Sequence, residues 1–132
     1  MTTTKEGSLT IREEQLVNGL RIVFTDESNR YFGDYHRICV VATIVCNLQD
    51  LPTESQDDEI FRSQAIESLG EQLSVVKRFE RMGVKTADVE KVRIALIDDF
   101  MHHAASYLSR TDYPRSLVKA EMNKSRTQRF CV

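Results

Sequence analysis

Two aspartates and two histidines are crowded into Asp98-Asp99-Phe100-Met101-His102-His103. Carboxylate and imidazole four residues apart are the ligand types and the spacing with which one helical face holds zinc. Asp98 stands four before His102, and Asp99 four before His103. At about 100° per residue, with Phe100 facing inward, the two pairs diverge. Asp98 and His102 point away from the core, whereas Asp99 and His103 flank the apolar stripe. One helix therefore cannot close a four-ligand site with these side chains. A metal held by Asp99 and His103 would need further ligands from elsewhere, such as His36 or a partner subunit. The expectation is ion pairing on the helix surface with His103 at the edge of the core, and neither a metal nor a cofactor.

The second concentration of chemistry is Arg30-Tyr31-Phe32-Gly33-Asp34-Tyr35-His36-Arg37, which holds three of the ten aromatic residues and the first of three histidines. It lies between two strand-like apolar runs, where a plain turn is served by small polar residues. Asp34 and His36 form a candidate acid–base pair, with Tyr31 or Tyr35 as proton carrier. In a strand, residues two apart share a face without touching, which weakens catalysis by Asp34, His36 and Tyr31. The structural alternative makes Tyr31 and Phe32 a plug for the end of the core, with Gly33 supplying a tight bend. As a binding loop, the segment would use Arg30, Tyr31, Phe32, Asp34 and Tyr35.

Other chemistry is sparse. Cys39 and Cys46 are seven apart on one predicted strand and face opposite sides, so they cannot pair within it. Cys131 is expected on an exposed tail. Three unpaired cysteines suit a reducing cytoplasm better than a disulfide framework. The five glycines, at 7, 19, 33, 70 and 83, are isolated, so no phosphate-cradling loop is present.

The elements that must carry these residues are legible in the periodicity. Leu9–Val17 and Leu20–Asp26 flank Asn18-Gly19, a tight-turn dipeptide. A two-residue loop pairs Val17 with Leu20, Gln15 with Ile22 and Glu13 with Phe24. It places Ile11, Val17, Leu20, Ile22 and Phe24 on one face, and Arg12, Glu14 and Arg21 on the other. Tyr35–Leu48 is the third strand, with a core face at His36, Ile38, Val40, Ala42, Ile44, Cys46 and Leu48 and a second, fairly apolar face at the odd positions.

Helical spacing follows from an N-cap at Ser55 through Ile66, Leu69, Leu73, Val76, Phe79 and Met82, ended by Gly83, with Gly70 mid-helix. Thr86 is the expected N-cap of a second helix using Val89, Val92, Leu96, Ile97, Phe100, Ala104, Tyr107 and Leu108. Pro114 opens a short third helix to Lys124.

The predicted fold is α+β: an N-terminal three-stranded antiparallel sheet, then a long helical hairpin and a short C-terminal helix. Residues 1–132 form one domain, with sheet at 7–48, helices at 55–126 and a mobile tail at 127–132. Hydrophobic content of 41% and charged content of 29% suit an ordinary globular chain. The first residues lack the apolar stretch of a signal peptide, and the longest apolar run, Ile38 to Cys46, is too short to span a membrane. No membrane partner is expected.

The net charge of −2 divides into −6 up to Leu108 and +4 from Ser109 onward. That basic end falls short of a nucleic-acid stripe, so nucleic acid is not an expected partner. The apolar second face of the third strand is best buried by a homodimer. The sequence thus reads as a small non-enzymatic cytoplasmic interaction or regulatory protein, dimeric and with a protein partner. The alternative is a small enzyme or metal-binding protein using the Arg30–Arg37 loop and His103.

Overall fold

The computed structural model describes residues 9–130. The chain runs β1 (Leu9–Gln15), β2 (Arg21–Asp26), β3 (Asn29–Phe32), β4 (Tyr35–Asn47), α1 (Gln56–Leu69), β5 (Gln72–Lys85), α2 (Val89–Leu108) and α3 (Tyr113–Phe130). The class is α+β, as expected, but the antiparallel sheet has five strands rather than three. β4 is its spine. One edge of β4 takes β2 against residues 40–45 and β3 against residues 35–37, and the other takes β5 along its length.

Asn18-Gly19 makes the first turn in a longer form than expected. Leu16 N–H donates to the Leu20 carbonyl at 2.8 Å, Gly19 N–H donates to Leu16 at 3.1 Å, and Gly19 takes a φ of 91°. A three-residue loop closed by a left-handed glycine results, and the register moves by one. Gln15 pairs with Arg21, Glu14 with Ile22 and Arg12 with Phe24. Leu20, Ile22 and Phe24 still enter the core, but Val17 is 94% exposed. Arg12 and Glu14 come round to the face of their pairing partners, where Arg12 bridges Glu14 at 2.7 Å and Asp98 of α2 at 3.0 Å.

The largest correction lies at 72–82, expected as helix and found within β5. Ser55 caps α1 as expected, its hydroxyl accepting from Asp58 N–H at 3.1 Å. The helix then stops at Gly70, whose φ is 87° and whose N–H donates to the Ile66 carbonyl. Gly70 is therefore a terminator, not an interior packing residue. Gly83, expected to end that helix, sits at φ 67° where Met82 and Gly83 oppose the single residue Arg37, a bulge in β5. The predicted helical part 55–126 thus contains a strand that belongs to the sheet.

α2 and α3 appear where expected, although Tyr107 is exposed and α3 continues through residues 127–130 of the predicted tail. Residues 7–8 of the predicted sheet and residues 131–132 of the predicted tail, with the exposure expected for Cys131, lie outside the described residues.

All three helices feed one core on one face of the sheet, where Ile38, Val40, Ala42, Ile44 and Cys46 meet Leu20, Ile22, Phe24, Leu96, Leu108 and Val118. Phe100 of α2 lies between Phe24 (5.8 Å) and Phe79 (5.1 Å). The opposite face of β4 is also buried at Cys39, Val41 and Val45. No described helix is long and apolar enough to cross a membrane.

Candidate functional site

Arg30–Arg37 is a hairpin, not a loop. β3 and β4 are joined by the two-residue turn Gly33-Asp34, between paired Phe32 and Tyr35, and Gly33 takes a φ of 53°. Such a turn needs a residue that tolerates positive φ, and glycine does so without a Cβ penalty. A register shift between Arg30 and Phe32 leaves Tyr31 as an extra residue in β3. Its hydroxyl reaches Gly83, where an added Cβ would lie 3.9 Å from the oxygen. The two irregular points, Tyr31 and the β5 bulge, therefore lie close together across the end of β4.

Phe32 does not plug the core. It is 74% exposed, Tyr31 48% and Tyr35 41%, and Arg30 and Asp34 are exposed with them. Large apolar rings left in water are the informative class of surface residue. Met82, 59% exposed, belongs to the adjoining bulge.

The hairpin is held at its base by Thr86. Its backbone N–H donates to the Asp34 carbonyl at 3.1 Å, its hydroxyl donates to that carbonyl at 3.5 Å, and the same hydroxyl lies 2.9 Å from His36 Nε2. Thr86 does not cap α2 but opens a short 3₁₀ turn before it. The ring of His36 is thus engaged by Thr86 rather than by the Asp34 carboxylate, and the proposed acid–base pair is not assembled. Beside it, Arg37 donates to Glu80 at 2.5 Å, and Arg78 pairs with Glu27 at 2.7 Å.

The histidine-rich stretch of α2 is dispersed. Asp98 is engaged by Arg12 of β1. Asp99 and His103 are exposed, so His103 stands off the core edge where it was expected. The rings of His102 and His103 lie edge to face at 5.4 Å. Among the described residues no group of three or more His, Cys, Asp or Glu side chains is placed to hold a metal ion.

Burial pushes the Cys46 thiol up to about 11, with Asp50 adding to the shift. Cys46 is therefore a packed apolar residue rather than a nucleophile.

Sequence reasoning found the hairpin tip but not that Thr86, expected as a helix cap, Met82, expected in a helical stripe, and Glu80 adjoin it. All three come from β5 or its end, and no local signal ties them to residues fifty positions earlier. Comparison of the chain with family models, curated proteins and solved structures finds no match.

Proposed function

We propose that this chain is a small cytoplasmic binding protein with a regulatory role, dimeric, that engages a protein partner through the tip of the β3–β4 hairpin. The exposure of Tyr31, Phe32 and Tyr35 together carries this reading. Aromatic side chains flanked by arginine dominate the energetics of protein interfaces, because they bury much area at little rotamer cost. Arg30 stands beside the rings, and the Thr86 bonds hold the hairpin against the rest of the fold. A tip fixed in advance loses little entropy on binding.

The test is quantitative capture from native lysate by wild type, Phe32→Ala, Tyr31→Ala and, as control, Val17→Ala, which alters an exposed apolar residue in another turn. The expected result is a set of partners retained by wild type and Val17→Ala and lost by both tip variants. Equal capture by all four would remove the hairpin from the function.

A further inference from the structure

β5 has an unused edge. One side is paired with β4 from Gln72↔Asn47 to Lys85↔Tyr35, and among the described residues no strand lies against the other. Fourteen residues make a long open edge. Sheets usually shorten or cover such edges, because free N–H and C=O groups invite another strand. The bulge at Met82 and Gly83 blunts only one end and leaves 72–81 in regular register. The opposite edge, β1, is half as long and interrupted by a register shift of its own.

We propose that two copies of this chain join antiparallel through β5, about a two-fold axis midway between the two copies of Phe79, to form one continuous sheet. This rests on the dimer reading above and names its seam. A two-fold axis normal to the sheet pairs residues that share a face, so it must lie midway between a residue and its own copy. Centred on Lys77, Arg78, Glu80 or Arg81, it sets a charge against its own copy and leaves Arg78 without the partner's Glu80. Centred on Val76, it leaves Arg78 opposite the partner's Ser74, with no opposite charge.

Centred on Phe79, and only there, it sets each Arg78 against the partner's Glu80, and it brings each exposed Val76 toward the bulge that holds the partner's exposed Met82. The existing pairs then extend across the seam. Glu27, Arg78, the partner's Glu80 and the partner's Arg37 form a row whose sign alternates at every step. On the helix side each Lys77 meets the partner's Arg81, two like-charge pairs that this register must carry; both residues are exposed, so their charged heads splay into water, and the register is favoured because it alone opposes Arg78 with Glu80.

Cross-linking tests the seam in full-length protein carrying Cys131→Ser, since Cys39 and Cys46 are buried. The double variant Lys77→Cys/Arg81→Cys places two thiol pairs across the axis, both within the regular register. In either single variant the matching thiols lie four residues apart along the strands, about 13 Å, beyond disulfide reach. Under mild oxidation the double variant should run as a covalent dimer on non-reducing gels and both single variants as monomers. Wild type is sedimented alongside. A wild-type monomer at high concentration would overturn both the dimer reading and the seam. A wild-type dimer whose double variant stays uncross-linked would overturn the seam alone.

Discussion

The side-chain amide of Asn18 donates to the main-chain carbonyl of Leu108 at 2.5 Å, across 90 positions of sequence. The same nitrogen reaches the Arg110 carbonyl at 2.8 Å, and the side-chain oxygen accepts from Leu20 N–H at 3.2 Å. The last carbonyls of a helix lack partners within it. Here the first hairpin supplies them, so Asn18 is at once a turn residue and the cap of α2.

Asn18→Ala should therefore cost more than an ordinary turn substitution. It removes three hydrogen bonds, two of them to carbonyls at the end of α2, and about 2 kcal/mol is expected. Urea denaturation measures it. A loss below about 0.5 kcal/mol, the range of a neutral surface change, would show that the cap contributes nothing.

The aromatic residues should divide sharply by position. Phe32→Ala should change stability by less than about 0.5 kcal/mol, as at an exposed site. Phe24→Ala, which empties a fully buried position against Phe100, should cost about 3–5 kcal/mol. Parallel denaturant melts decide, and a large loss at Phe32 would restore the plug reading.

Gly70→Ala isolates backbone strain. The residue sits at φ 87° and ψ −171°, a region reserved almost wholly for glycine, and an added Cβ would meet no atom within 4 Å. The cost should be about 1–3 kcal/mol from conformation alone. A substitution without effect would mean that α1 and β5 can be joined by another backbone path.

Alkaline pH should weaken the fold through Cys46. Its thiol ordinarily titrates near 9.0 and is pushed up to about 11 by burial. Between these values the unfolded thiol loses its proton while the folded one keeps it, so the unfolded state binds fewer protons and stability falls as pH rises. Below the lower value the contribution is fully present. Tyr113 is also raised by burial and acts with the same sign. Denaturant midpoints across this range should decline less steeply in Cys46→Ala than in wild type, whatever the variant's absolute stability. Identical slopes would remove Cys46 from the pH dependence.

Much of this fold is written in local pattern. The alternation from His36 to Leu48 identifies the spine, Ser55 starts α1, and the stripe from Val89 to Leu108 marks α2. β5 was hidden because Leu73, Val76 and Phe79 are three apart, which mimics a helical stripe. In the strand, Leu73 and Phe79 are six apart and share the inner face, while Val76 points outward. The missed signal was Gly70, which ends a helix as readily as it interrupts one. At the candidate site the aromatic cluster was legible, but its exposure was not. Whether Phe32 faces core or water depends on β3 and its register, and four residues carry too little periodicity to reveal them.

The core face of the sheet receives most of its cover last. β1 to β4 are complete by Asn47, yet Leu96, Ile97, Ala104 and Leu108 of α2 and Val118 and Met122 of α3, which belong to the same core, come only after β5. A chain broken off before Val89 would keep every strand but only α1 of its three helices, and would leave much of the apolar face open to its neighbours. Such a fragment would aggregate rather than work at partial strength. During synthesis the strands must likewise wait, only partly covered by α1, for roughly the last third of the chain.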